Sequence, residues 1–164
     1  MFEYFCPSKI FTVKKYLFLC LVTLTMAVTS DAQLLNPVSW KYTATKIADK
    51  TYEVRITANI EPGWHLYSQV QPDDAIAEPT TFSFAKNPLL SIEGKIKEDG
   101  KMEKFHDAKL DVSANQYSKQ VEFVQVVKVK GGAKTSVSGN VRYQTCNDEK
   151  CLPPKTVNFS IALK

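Results

Sequence analysis

The sequence has few cysteines, few histidines and no long apolar or basic run, and each shortage narrows what the chain can be. It contains 4 Cys in 164 residues, which is few for a small scaffold that depends on disulfides for its stability. A formal net charge of +4 without a basic cluster does not indicate nucleic-acid binding. No window of a dozen residues shows a helical period, which argues against a helical domain.

The N-terminal residues have the pattern of a secretory signal. Two lysines precede an apolar run over residues 16–28, and small residues at 30–32 favour cleavage before Gln33. The run is short for a membrane span, so a retained membrane anchor is the second interpretation. Cleavage would leave a signal peptide, residues 1–32, and one exported domain of ordinary size, residues 33–164.

Apolar and polar residues alternate with period two through most of the predicted domain, which is typical of strands with one buried face. The apolar positions of the first two such strands are Val38, Trp40, Tyr42 and Ala44, then Tyr52, Val54, Ile56, Ala58 and Ile60. About eight short strands separated by turn signals predict an all-β domain. The expected architecture is an immunoglobulin-like antiparallel β-sandwich.

Three stretches depart from simple alternation. Residues 71–79 hold acids and prolines, and residues 97–107 are polar, so both are expected as exposed loops. Residues 121–129 form the most apolar stretch, and their alternation changes phase near Phe123 and Val124. That change indicates a bulge or a strand buried on both faces.

Cys146 and Cys151 are the cysteines that remain if Cys6 and Cys20 leave with the signal. They flank four residues, Asn-Asp-Glu-Lys, at the end of a predicted strand, and facing positions of a hairpin can supply the Cα separation that a disulfide needs. Closing a loop of about six residues contributes only roughly 2.2 kcal/mol, against roughly 4.7 kcal/mol for a hundred-residue loop. The pair therefore favours thiol–disulfide exchange over stapling.

A structural hairpin disulfide is the alternative. The chain would then be a non-catalytic β-sandwich, a binding or accessory module of the cell envelope. In the exchange interpretation, Asp148 and Glu149 disfavour a thiolate and Lys150 partly offsets them. Exchange would therefore rely on an attacking partner.

The two histidines do not make a convincing metal site with the cysteines. His65 and His106 are not spaced as a zinc-binding pair, although the cysteine spacing is at the edge of what zinc knuckles use. We expect no metal and no small-molecule cofactor. By strand alternation, His65 and Tyr67 project from the face opposite Trp64.

Three segments carry a resemblance to a known family. Residues 141–157 read VRYQTC, four residues, then CLPPKTV; residues 61–67 read EPGWHLY; residues 100–107 hold Gly, Lys, Glu, Phe and Asp at matching positions. Together they resemble the N-terminal periplasmic domain of the thiol:disulfide interchange protein DsbD. The resemblance covers nearly all of the predicted domain, and the cysteine segment is its most specific part.

The resemblance implies an immunoglobulin-like domain that relays electrons in the periplasm. Its cysteine pair would receive them from a thioredoxin-like donor fed by a membrane electron transporter, and would pass them to disulfide isomerases or to thioredoxins of cytochrome c maturation. In this stand-alone chain those partners, including the transporter, would be separate proteins. Cys151 would form the mixed disulfide with the partner, and Cys146 would resolve it.

The resemblance also implies which residues lie near the pair. Glu98 and Asp99 align with the cap loop that shields the disulfide in this family, and Phe105 is the alternative shielding aromatic. The remaining residues expected near the site or in contact with a partner are His65, Tyr67, Tyr143 and Pro153.

Overall fold

The computed structural model describes residues 35–131 and 134–164. The predicted signal peptide and its cleavage position lie outside these residues. The described residues form nine strands and no helix: β1 (Val38–Ala48), β2 (Thr51–Ile60), β3 (His65–Tyr67), β4 (Thr81–Phe84), β5 (Leu90–Asp107), β6 (Val112–Val129), β7 (Thr135–Tyr143), β8 (Thr145–Cys146) and β9 (Lys155–Leu163). This part of the chain accordingly has no helix suited to crossing a membrane.

The strands form two antiparallel sheets. In the larger sheet the order is β1-β2-β6-β3-β8, and β5 pairs with the other edge of β6. The smaller sheet has the order β4-β7-β9. The predicted all-β, antiparallel sandwich is confirmed.

The core lies between the two sheets, where the alternating apolar side chains meet. The ring of Phe123 in β6 lies 4.8 Å from that of Phe82 in β4 and 6.2 Å from that of Trp40 in β1, measured between centroids. Phe159 in β9 lies 5.9 Å from Tyr42 by the same measure. Phe123 is fully buried, and so are Val38, Val54, Ile56, Ala58, Leu66, Val121, Val127, Val137 and Val141.

The predicted loop over residues 97–107 is wrong, because these residues belong to β5. They pair with β6 as far as Asp107↔Val112, with register shifts between Glu93 and Lys97 and between Gly100 and Met102. β5 is an edge strand that is exposed along most of its length. An edge strand tolerates polar and charged side chains, so its sequence lacked the alternation that marks a half-buried strand.

Near Phe123 the sequence predicts a bulge or burial on both faces; β6 itself carries no bulge there, and the register shift opposite Val124 and Val126 falls on β5, between Glu93 and Lys97. β2 pairs with β6 without a break from Gln120 to Lys128, and the second face, at Val124 and Val126, is half-buried. Gln125 continues the alternation of core-facing side chains in β6. It is a buried polar residue whose amide donates to the carbonyl of Glu93 at 2.8 Å. Because Gln125 is polar at a core-facing position, the sequence showed a change in the apolar alternation that the strand itself does not have.

Candidate functional site

A short hairpin at one end of the larger sheet holds the two cysteines. Cys146 ends β8, Cys151 faces it across an isolated antiparallel bridge, and a disulfide joins them with 4.0 Å between their Cα atoms. Asn147 shapes the turn, because its Oδ1 accepts the N–H groups of Glu149 at 3.0 Å and of Lys150 at 2.8 Å. Asparagine favours such turns because its side chain can bond to the backbone two residues on.

The stem of this hairpin is held by hydrogen bonds that do not involve sulfur. The N–H of Leu152 donates to the carbonyl of Thr145 at 2.9 Å. The side chain of Gln144 donates to the Leu152 carbonyl at 3.2 Å and accepts the N–H of Glu78 at 2.8 Å. Glu78 in turn makes a two-pronged ion pair with Arg142, at 3.0 and 3.1 Å.

The two sulfurs of the pair differ in access. Cys146 is only 4% exposed and packs in a small cluster with Tyr67, Ala114 and Ala77. Cys151 is exposed. Of the two cysteines, Cys151 is therefore the one exposed at the surface.

Strand β3 lies between β6 and β8 and brings the segment 61–67 beside the cysteines. His65 is directly opposite Cys146, and Leu66 is opposite Tyr117. Leu66 points into the core, so His65 and Tyr67 lie on the outer face of the sheet together with Cys146. Tyr67 is 7% exposed, and this burial raises the pKa of Tyr67.

His65 is the centre of a hydrogen-bonded row. Its Nδ1 lies 3.1 Å from Ser118 Oγ, and Ser118 Oγ donates to Glu103 Oε2 at 3.0 Å. Its Nε2 lies 3.9 Å from Asp148 Oδ1, in the turn between the cysteines. The imidazole thus spans the space between β6 and the disulfide hairpin.

Three other predicted residues occupy different surroundings. Phe105 pairs with Ala114, shares the outer face with Cys146 and is 48% exposed. Tyr143 is in the main core, with its ring 5.2 Å from that of Trp40, and burial raises the pKa of Tyr143. Pro153 is exposed two residues after Cys151.

Glu98 and Asp99 lie in β5, not in a loop. Glu98 accepts three hydrogen bonds: from Ser68 Oγ at 2.7 Å, from the N–H of Gln69 at 2.6 Å and from Tyr117 Oη at 2.7 Å. Asp99 Oδ2 lies 3.7 Å from Nη1 of Arg55. Glu98 therefore anchors the start of the 68–80 connection, whose Ala77 packs against the Cys146 cluster.

Burial and the hydrogen bond to Glu98 together raise the pKa of Tyr117. Tyr117 is 3% exposed, and its hydroxyl donates to the Glu98 carboxylate. Ionisation of the phenol would place two negative charges side by side, which is unfavourable. The Tyr117–Glu98 contact therefore favours the neutral form of the phenol.

Sequence reasoning missed several residues that shape the site: Ser118, Ala114, Ala77, Gln144 and Glu78. Gln144 belongs to the VRYQTC segment itself, but the other four carry no local signal, because they reach the cysteines through strand register or through the 68–80 connection. The zinc alternative needed His65 and His106 to join the cysteines. In the described part of the chain, no group of three or more His, Cys, Asp or Glu side chains is arranged to hold a metal ion.

Comparison with known proteins gives a family and a fold. The model of the family described as "Thiol:disulfide interchange protein DsbD, N-terminal" matches residues 31–163. None of the curated proteins compared with the chain matches it significantly. The family match therefore covers all nine strands and the cysteine pair.

Solved structures share the architecture at low sequence identity. The reduced DsbD N-terminal domain of Neisseria meningitidis is 18% identical, with a TM-score of 0.51 over 82% of this chain and 94% of that chain. The N-terminal periplasmic domain of ScsB from Proteus mirabilis is 15% identical, with a TM-score of 0.53 over 79% of this chain and 47% of that chain. This likeness confirms the immunoglobulin-like fold, and the family match shows that the chain belongs to the family of N-terminal domains of the thiol:disulfide interchange protein DsbD.

Proposed function

We propose that this chain is an exported thiol:disulfide exchange protein that relays electrons between thioredoxin-like proteins through Cys146 and Cys151. Residues 1–32 would be the signal peptide, and residues 33–164 would act in the periplasm. The observation that carries the proposal is the unequal access of the two sulfurs, with Cys151 exposed and Cys146 at 4% exposure. Family membership supports the same chemistry.

This geometry supports the following exchange. A thiolate of a reduced thioredoxin-like donor attacks Cys151 Sγ, which forms the mixed disulfide and releases the sulfur of Cys146. The donor's second thiol then attacks its own half of the mixed disulfide and releases Cys151. The donor leaves as a disulfide, and this domain keeps two electrons as a dithiol that can reduce an acceptor by the same steps in reverse.

The outer face around the hairpin offers a contact surface for such a partner. Phe105 presents a half-exposed aromatic ring on the face that carries Cys146, and Pro153 is exposed beside Cys151. His65 and Tyr67 lie next to Cys146 on the same face of the sheet. A membrane electron transporter would supply the electrons that reach the donor.

The reduction potential of the pair is the first test. Thiol trapping across a series of redox buffers should give a value of about −120 to −270 mV, the range of exchange proteins. A value below about −300 mV would mark the bond as structural. The chain would then be a binding or accessory module of the envelope.

Two single-cysteine variants test the roles of the sulfurs. Cys146→Ala leaves the exposed thiol and should trap a stable mixed disulfide with a thioredoxin-like partner. Cys151→Ala, which leaves only the buried thiol, should trap little or none. Equal trapping by both variants would contradict the assignment, and near-UV circular dichroism shows whether both are folded.

A further inference from the structure

A row of polar side chains crosses the outer face of the larger sheet and ends at the buried cysteine. It runs from Glu103 in β5 through Ser118 in β6 and His65 in β3 to Cys146 in β8. The first two links are hydrogen bonds of 3.0 and 3.1 Å. In the last link, His65 and Cys146 are directly opposite residues of an antiparallel pair, whose Cβ atoms lie about 4.5–5.5 Å apart.

The row fixes which imidazole nitrogen can exchange a proton. The single hydroxyl proton of Ser118 is donated to Glu103 Oε2, so Ser118 Oγ accepts from His65 Nδ1–H. Nε2 is then the nitrogen left for proton transfer. It faces the cysteine hairpin, where Asp148 Oδ1 lies 3.9 Å away.

The buried sulfur needs such a group. When a partner attacks Cys151, Cys146 leaves as a thiolate in a site that is 4% exposed. A thiolate in that site is poorly solvated, so Cys146 is a poor leaving group unless its charge is neutralised. Imidazole both gives and takes a proton near neutral pH.

We propose that His65 donates the proton that neutralises the Cys146 thiolate when the disulfide opens, and removes it when the disulfide closes. The inference rests on the exchange function proposed above. Ser118 and Glu103 are positioning residues, because they act by orienting the ring. With an imidazole half-buried at 22% exposure, the ring can still recover its proton from solvent.

The step balances in protons and electrons. The attacking thiolate forms a bond to Cys151 Sγ, the Cys146–Cys151 bond breaks, and its electron pair leaves on Cys146. The Nε2–H proton then passes to Cys146 Sγ, which leaves a thiol and a neutral imidazole. The charged groups that face the ring are Asp148, at Nε2, and Glu103, through Ser118.

The test is the rate at which dithiothreitol reduces the oxidised domain, measured from pH 5 to 9 and divided by the concentration of attacking thiolate. The wild-type rate per thiolate should fall from the acid to the alkaline end of this range, because the proposed step consumes a proton. His65→Gln, which can still bond to Ser118, should be slower by about tenfold or more at pH 6, since a positioned acid contributes about 10²–10⁴-fold. It should also lose the pH dependence.

His106→Gln is the matched control. His106 makes a similar contact, with Nδ1 3.2 Å from Ser113 Oγ, but lies on the side of β5 opposite Phe105 and the Cys146 cluster. This variant should keep the wild-type rate and pH profile. Ser118→Ala should lower the rate by a smaller factor while keeping the pH dependence, as expected for a positioning residue.

Two results would overturn the proposal. One is a His65→Gln variant within twofold of wild type at pH 6, and the other is a wild-type rate per thiolate that does not change between pH 5 and 8. The second needs no variant and holds even if His65→Gln fails to fold. Because dithiothreitol reduces any accessible disulfide, failure here with a normal reduction potential would reject the role of His65 alone, whereas a potential below the exchange range would reject the proposed function.

Discussion

Reduction of the disulfide should weaken this domain only slightly and leave it folded. The closed loop from Cys146 to Cys151 spans a sequence separation of 5, and a loop of about six residues accounts for roughly 2.2 kcal/mol of chain entropy. The hairpin is also held by the Leu152–Thr145 hydrogen bond and by the side chain of Asn147. Neither contact involves sulfur, so we expect both to remain when the disulfide is reduced.

The expected loss is therefore about 2 kcal/mol in the free energy of unfolding, or roughly 6–10 °C in melting temperature for a domain of this size. Urea unfolding at pH 7, followed by circular dichroism with and without reductant, measures it. The slope of the free energy against urea should not change, because the surface exposed on unfolding is nearly the same. A double variant, Cys146→Ser with Cys151→Ser, should be insensitive to reductant.

A loss of more than about 4 kcal/mol on reduction, twice the entropic value, or a complete loss of the near-UV signal would contradict this prediction. Either result would mean that the bond holds the tertiary packing. The domain could not then cycle between oxidised and reduced forms as a relay must.

Two further predictions concern the Glu98 contacts. Replacing Glu98 by Ala should lower the free energy of unfolding by about 2–3 kcal/mol, since Ser68 Oγ, the N–H of Gln69 and Tyr117 Oη lose a charged acceptor; urea unfolding measures this, and Glu98→Gln, which keeps one acceptor oxygen, should lose less. Because the pKa of Tyr117 is raised in the folded state, its contribution is complete below the unfolded value of about 10 and is lost as the pH rises above it. Stability measured from pH 9 to 12 should therefore decline less steeply in Tyr117→Phe than in wild type, and equal slopes would contradict the assignment.

Local pattern was sufficient for most of the fold. The alternation in β1 and β2 predicted their buried faces. The same period of two predicted that His65 and Tyr67 lie on one face of the sheet and Leu66 on the other. These predictions succeeded because period two is a property of neighbouring residues and needs no knowledge of partners. The isolated cysteine pair and its six-residue ring could likewise be read along the chain.

The failures occurred where the environment of a residue depends on distant strands. Residues 97–107 belong to an edge strand that is mostly exposed to solvent, so neither of its faces needed a regular row of apolar side chains. Gln125 is buried among apolar neighbours because a carbonyl of β5 accepts its amide. Neither fact is encoded in a short window.

The sequence by itself determined an all-β domain, the two cysteines of its hairpin and the family to which the chain belongs. Only the tertiary structure decided which sulfur is exposed, and only strand register placed His65 opposite Cys146 and joined it to Ser118 and Glu103. The physical reason is that burial and cross-strand contact arise from pairing between β3, β6 and β8, which are separated by tens of residues in the chain. Composition and spacing set what each strand can do, while the packing of the sheet determines which side chains meet.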